Sequence, residues 1–333
     1  MAINIALEIG TSYTTIFVEN YNIVLREPTV VAFLDDEENT LRAVGEDALM
    51  MQGKTSEKIN FVFPVTEGYI ADAESASIML AEFLKKIFPK RSKLFSPLKA
   101  ILSVPAGLTV EERKVYEDVL VKAGISKIEM VEKVLLGAIG ADLPIKNGGQ
   151  LIVSIGGGST EIALVGMCSV ASGCSMNIGG DMMDRAIMDY IVGKYSVNVS
   201  KATARKLKEE TASLYSDDIA SCEIKGLNTD TLTPTSILIS STDLYEALMP
   251  YYERICEGII SIINDCPPSL AEGLHNKGVF VVGGGAKIPG LQETLAKKIP
   301  LPIKVLSQPE YTCVVGGGKL ISDKELMDEI NTQ

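Results

Sequence analysis

The sequence predicts an α/β protein built from two related halves, each a mixed β-sheet flanked by helices. Three observations carry that expectation. Short apolar strands alternate with amphipathic helical stretches, the pattern of α/β layers. The segments ALEIGTSYTTIFV (6–18) and IVSIGGGSTEIALV (152–165) share the order strand, glycine turn with Ser or Thr, strand, and they start close to half the chain apart. With 333 residues, 46% of them apolar, the chain suits two domains with sizeable cores. Two halves that each present a hairpin turn suggest two domains facing one cleft.

Taken in order, INIALEIG and TTIFVE read as paired strands around a Gly-Thr-Ser turn. Val30 to Leu34 reads as a strand followed by the polar turn DDEEN. Asp72 to Phe88 reads as a helix, with Asp72 placed to cap it and Ile78, Leu80, Phe83, Leu84 and Ile87 recurring near helical period. Ala100 to Val104 is a strand ended by Pro105, and Val110 to Ala123 a helix stopped by Gly124. A short strand then leads into a helix over 127–139. After the strands LIVSI and EIALV come helical stretches at 180–195 and about 200–216, strands and turns over 221–239, a helix at 242–264 and the strand VFVVGG.

Three glycine loops stand out. Phosphate needs donors on a backbone that allows close approach, and glycine, lacking Cβ, provides that surface. The loops are Gly10, Thr11, Ser12 and Tyr13; Gly156, Gly157, Gly158, Ser159 and Thr160; and Gly283, Gly284 and Gly285. None has the G-x-x-x-x-G-K-[ST] spacing of a P-loop. The second is followed by a strand pattern, so it fits a hairpin better than the helix-opening dinucleotide fingerprint. The third leads towards a helix, LQETLAKKI, without an acid placed for a ribose.

Composition narrows the class. A net charge of −12, spread along the chain, argues against a general nucleic-acid binder, which needs a basic stripe. Six cysteines without a C-x-x-C pair, and one histidine, make a zinc site improbable and suit reduced thiols in a cytosolic protein. MAINIALEIG lacks a basic n-region and turns polar too early for a signal peptide. No apolar run reaches the ~18 residues of a membrane span.

The segments LEIGTSYT, EPTVVAF, AVGEDAL, PVTEGYIADAESASIML, SVPAGLTVEERK, GAIGADLPI, SIGGGSTEIAL, IGGDMMDRAIMDYI, TARKLKEETAS, VVGGGAKIPGL and CVVGGGKLI together resemble the actin superfamily, and within it the bacterial MreB actins. The resemblance runs over roughly residues 3 to 321, and EPTVVAF and SVPAGLT are its most specific parts. It implies an actin-like fold with a nucleotide cleft and four subdomains: IA at about 1–32, 66–144 and 315–333, IB at 33–65, IIA at 145–181 and 243–314, and IIB at 182–242. It implies ATP or ADP with Mg2+ as ligand. Gly10 to Tyr13 and Gly156 to Thr160 would hold phosphates, and Gly283 to Ala286 would border the adenosine. Lys208 and Glu210 would be a polar pair facing the nucleoside, and Gly179, Gly180 and Asp181 a loop beside the phosphates.

Three positions depart from the family pattern, all where it keeps an acid. The first loop normally reads D-x-G and here has Glu8; the second normally begins with Asp and here with Ser154. Aligned without gaps on Gly137-Ala138-Ile139-Gly140, the water-activating Glu of the family is Lys133, although a one-residue slip would leave Glu132 in that slot. With Thr160, these positions mark where the resemblance puts the chemistry. Glu8 keeps its charge on a longer arm, so it would hold the octahedral Mg2+ shell weakly and through water. A lysine with an ordinary pKa of about 10.4 is protonated at neutral pH and accepts no proton from water. Glu to Lys shifts the site by about +2 and Asp to Ser by about +1, so it is about three units more positive by unit charges. That favours a polyanionic nucleotide, lessens dependence on the metal and removes a general base worth roughly 10²–10⁴ in rate.

The segment KKIFPKRSKLFSPLK (85–99) mixes basic residues with Leu94 and Phe95, where the resembling proteins carry an apolar membrane loop. Near an anionic leaflet each basic residue adds about 1 kcal/mol, and a filament multiplies weak copies by avidity. Packing of that Phe back onto the protein is the alternative. The resemblance further implies self-association into filaments by a heterologous contact, paralogous MreB proteins as partners, a place at the inner face of the cell membrane, and a role in cell shape or motility. An actin-fold small-molecule kinase is the competing expectation, weakened by the lost acids. A chaperone would need a substrate domain after residue 333, whereas an actin-like adaptor stays open.

Overall fold

The computed structural model describes residues 2–37, 39–52, 58–90 and 96–332. Two compact units emerge: Met1–Asn147 with Val165–Ala171 and Tyr311–Gln333, and Gly148–Leu164 with Ser172–Glu310. Each is organised on a five-stranded sheet.

In the first unit the sheet order is Ile125–Glu132, Leu98–Val104, Ile3–Ile9, Tyr13–Val18, Asn22–Pro28. Ile3–Ile9 pairs parallel with Leu98–Val104, which pairs parallel with Ile125–Glu132, while the Tyr13–Val18 and Asn22–Pro28 strands fold back antiparallel. The second sheet repeats this order: Ile303–Val305, Val279–Val282, Gln150–Ile155, Thr160–Gly166, Ser169–Met176. Gln150–Ile155 again has parallel partners on one side. The duplication read from residues 6–18 and 152–165 is therefore a duplication of sheet topology. In both sheets the hairpin turn leaves the carboxyl end of a central strand, where open α/β sheets bind ligands.

Local signals behave as their chemistry demands. The Asp72 carboxylate accepts the Ser75 N–H at 2.9 Å and starts the helix Ala73–Ile87, whose buried side carries Ala76, Met79, Leu80, Phe83 and Leu84. Thr109 and Glu112 form a reciprocal capping box at the helix Val110–Ala123, and Gly124 ends it at φ 95. Each unit has its own apolar core. Leu7, Ile16, Phe83 and Leu102 are central to the first, and Leu151, Ile187, Tyr252 and Val281 to the second. All six cysteines are free thiols.

Some expectations need correction. The helix expected over about 200–216 is Lys201–Glu210. Beyond it the backbone turns away, because the Leu214 N–H donates to the Pro289 carbonyl at 2.8 Å rather than continuing the helical ladder. The strand expected within 127–139 is longer, Ile125–Glu132, and the helix after it is Lys133–Gly140. LQETLAKKI gives only the short helix Leu291–Ala296, reached through a 3₁₀ turn at Gly284–Lys287. Position 38 of the turn DDEEN, and Leu94 and Phe95, lie outside the described residues.

Another glycine run is helical. Gly316, Gly317 and Gly318 lie inside the helix Thr312–Ser322, which crosses Lys133–Gly140 at backbone contact. A Cβ at Gly316 would lie 1.9 Å from the Leu136 carbonyl oxygen, and one at Gly140 2.0 Å from that of Thr312. Gly193, in the helix Gly180–Tyr195, meets nothing within 4 Å. Gly316→Ala is therefore expected to cost about 1–3 kcal/mol or more by overpacking, and Gly193→Ala to gain about 0.5–1 kcal/mol by helix propensity, both read from urea unfolding.

Candidate functional site

In the first unit, the turn between Ile3–Ile9 and Tyr13–Val18 is closed by the Gly10 N–H donating to the Tyr13 carbonyl at 3.0 Å. A Cβ at Gly10 would stand 2.9 Å from that same oxygen, so the turn needs glycine. The Thr11 hydroxyl accepts the Gly68 N–H at 3.0 Å and keeps its own proton to donate. The Ser12 carbonyl accepts the Thr29 N–H at 3.0 Å. Tyr13 supplies the closing carbonyl, and its ring is covered by the Arg26 guanidinium, 3.6 Å from the centroid.

Beside this turn sits the ion pair of the site. Glu8 is next to last in its strand, and Lys133 is the first residue of the helix after Ile125–Glu132. Strand pairing sets Glu8 opposite Ser103, and Val104 opposite Glu132. Both side chains therefore rise from one sheet edge, and Lys133 Nζ lies 3.1 Å from a Glu8 carboxylate oxygen, the two side chains only 17% and 16% exposed. Glu132 turns elsewhere: its carboxylate accepts the Gly107 N–H at 3.3 Å. The lysine, not its acidic neighbour, faces Glu8.

In the second unit the Gly156 N–H donates to the Ser159 carbonyl at 2.8 Å, closing the second hairpin turn. The amides of Gly180 and Asp181 donate to the Gly156 and Gly157 carbonyls at 3.0 and 2.7 Å, locking the turn to the start of the helix Gly180–Tyr195. Gly179 fits there because it has no Cβ; one would lie 2.6 Å from the Gly157 oxygen. Thr160 is fully buried, and its hydroxyl donates to the Ile178 carbonyl at 2.6 Å, bracing the same junction. Ser154 is buried, and its hydroxyl has no hydrogen-bond partner among the described residues.

The third loop lies against the second because Gln150–Ile155 and Val279–Val282 pair in parallel, Ser154 opposite Val282. Gly283 has φ +87, and a Cβ there would be 2.3 Å from the Ile155 carbonyl oxygen; at Gly285 it would be 2.4 Å from Ile155 Cγ2. A Cβ at Gly284 meets nothing within 4 Å. Packing thus demands two of the three glycines, while Gly284 leaves open approach to the backbone. Ala286 is buried beneath the turn.

Lys208 and Glu210 point apart. Lys208 Nζ donates to the Gly180 carbonyl at 2.7 Å and to the fully buried Asp184, whereas Glu210 is 59% exposed and pairs with Lys206 at 3.8 Å. Arg205 bridges Asp184 at 3.2 Å and Asp181 at 2.8 Å, and Lys201 reaches Asp181 at 3.1 Å. Burial pushes the Lys208 amine below its ordinary range despite the pull of Asp184. Burial opposes charge on Arg205 too, but Asp184 and Asp181 outweigh it and hold the guanidinium above its usual value.

The MreB/Mbl protein model matches residues 2–329. The cell shape-determining protein MreB of Escherichia coli (strain K12) is 33% identical over 324 residues, which cover 96% of this chain and 93% of that protein. The chain belongs to the MreB/Mbl family. Mbl of Bacillus subtilis (strain 168) is 31% identical, with 97% of this chain and 96% of that protein covered. Among solved structures, MreB5 of Spiroplasma citri bound to ADP superposes with a TM-score of 0.90 at 28% identity, covering 98% of both chains. The fold is actin-like.

For this MreB/Mbl chain, sequence reasoning singled out Lys208 but missed Asp184, the buried acid that holds it. A signal was present. Asp181 and Asp184 are three apart on one helix, and Lys201, Arg205 and Lys208 recur at helical spacing on the next, so complementary faces could be matched. Asp184→Asn leaves two cations without their buried counter-charge and is expected to cost about 3–5 kcal/mol. Asp181→Asn, at a more exposed position, is expected to cost no more than about 1 kcal/mol. Urea unfolding of the two variants checks the ranking.

Proposed function

We propose that this MreB/Mbl chain is an ATP- and ADP-binding cytoskeletal protein that polymerises into filaments and cleaves its nucleotide slowly. The observation that carries it is the pair of glycine hairpin turns at equivalent strand ends of two sheets with one topology. Thr11 and Ser12 in the first unit, and Gly157 to Ser159 in the second, offer phosphate the backbone and hydroxyl donors it needs, while Gly10, Gly156 and Thr160 hold the turns in shape. The open face of Gly284 suits close approach of the nucleoside. MreB5 of Spiroplasma citri, also solved with AMPPNP at TM-score 0.89, supports adenine nucleotide as the ligand. The four-subdomain division expected from the resemblance belongs to this reading.

Slow cleavage follows from Lys133. An ammonium paired with Glu8 cannot take a proton from the attacking water. The residues present do not fit Mg2+ well: Glu8, the acid at the first turn, is already ion-paired, and Ser154 brings a hydroxyl without charge. Phosphate release by the parent is expected to be lower than by Lys133→Glu by roughly 10²-fold or more, the contribution of a general base; equal rates would sink the slow-cleavage reading. Electron microscopy of the parent with ATP is expected to show filaments, and their absence at high protein concentration would count against polymerisation.

We further propose attachment to the inner face of the cell membrane, through Leu94 and Phe95, and a role in cell shape or motility, with paralogous MreB proteins as partners. No helix among the described residues is long and apolar enough to cross a membrane, so attachment would be peripheral. Pelleting with anionic liposomes is expected for the parent, and the liposome affinity of Leu94→Ser/Phe95→Ser is expected to be lower by about a hundredfold or more, as two apolar anchors of roughly 1.5–3 kcal/mol each are lost.

A further inference from the structure

The position of Lys133 is electrostatically unusual in three ways. It opens the helix Lys133–Gly140, where the helix dipole disfavours a cation. The first turn of that helix contains no acid, and Glu132 before it makes no side-chain cap. The ammonium is mostly shielded from water, with Glu8 as its partner at 3.1 Å. A cation set against a helix dipole and largely desolvated invites an anion, and the site lies at the carboxyl edge of three parallel strands, next to the Gly10–Ser12 turn. Around it the donor set suits a metal poorly. Glu8 is occupied by the lysine, and a dication brought to the same carboxylate would stand beside a fixed positive charge.

We propose that Lys133 takes the place of the divalent cation: this chain binds a nucleoside triphosphate without Mg2+, and the Lys133 ammonium meets the phosphate charge. Glu8 holds the ammonium at the strand edge, so the site is neutral when empty of ligand and its cation is already in position. A lysine is a compact point charge with three donors, able to contact a phosphate as well as the carboxylate. The inference rests on the nucleotide-binding reading above and goes beyond it by assigning the counter-charge to the chain itself.

Calorimetric titration of the full chain with ATP, in EDTA and in excess Mg2+, tests it. The parent is expected to bind with affinities that agree within about threefold, because a fixed charge is indifferent to chelation. Lys133→Gln is expected to lose about tenfold or more in EDTA, the loss of one charge-assisted hydrogen bond, and to recover most of it in Mg2+. Glu8→Gln removes the competing acceptor, leaves the ammonium in place and is expected to bind as tightly as the parent or tighter in EDTA. Far-UV circular dichroism reports that each variant is folded; should Lys133→Gln not fold, the parent and Glu8→Gln decide. A parent that loses more than tenfold on chelation, a Lys133→Gln that matches the parent in EDTA, or a weakened Glu8→Gln each overturns the proposal. Tight binding confined to Mg2+ overturns this inference alone, whereas no binding in either buffer overturns the nucleotide reading with it.

Discussion

Backbone against backbone, with no side chain between, is the contact on which both candidate sites depend. In the first unit, Gly316 reaches the Leu136 carbonyl and Gly140 reaches that of Thr312, so two helices cross at a distance that any Cβ would forbid. That crossing seats the helix whose first residue is Lys133, and so sets the lysine against Glu8. In the second unit, Gly283 lies against the Ile155 carbonyl and Gly179 against the Gly157 carbonyl, which brings three separate chain segments to one strand end. Protein interiors deform little, so displacement of one such contact is passed to the residues it positions.

Electrostatics refine what the residue types suggest. Counting charges takes these positions from the three acids that the resemblance implies to a net of about zero, and in the folded first unit Lys133 and Glu8 neutralise one another as a pair. The second unit shows the same economy. Asp184 is enclosed and balanced by Lys208 and Arg205, and the Lys208 ammonium also holds the Gly180 carbonyl beside the second turn. A buried ion pair of this kind is weak evidence for stability as such, since desolvation opposes the Coulomb gain. Its value here is geometric: it fixes the side of a helix that faces a loop.

Much of this was legible along the chain. Asp72, the Thr109–Glu112 box and Gly124 act within a few residues of themselves, so their spacing predicts helix ends closely. The two hairpin turns were legible for the same reason, each being a short strand-turn-strand signal. The run Gly316 to Gly318 has poor intrinsic helix propensity, yet it is helical, and the neighbouring helix requires the space its missing side chains leave. The early end of the helix Lys201–Glu210 depends on the Pro289 carbonyl, far away in sequence. The resemblance implies that Lys208 and Glu210 act as one pair, yet positions two apart on a helix face different directions.

What the sequence by itself determined is the alternation of strands and helices, the duplicated hairpin, the glycine turns and the residue types at Glu8, Ser154 and Lys133. These are local properties, set by side-chain volume, backbone freedom and charge at each position. What only the tertiary structure decided is which of them act on one another. Parallel pairing carried Glu8 and Lys133 to the same sheet edge and the second and third glycine loops to the same strand end. Those pairings join residues that are remote along the chain, and their register comes from the packing of whole sheets and helices, which no short window of sequence contains.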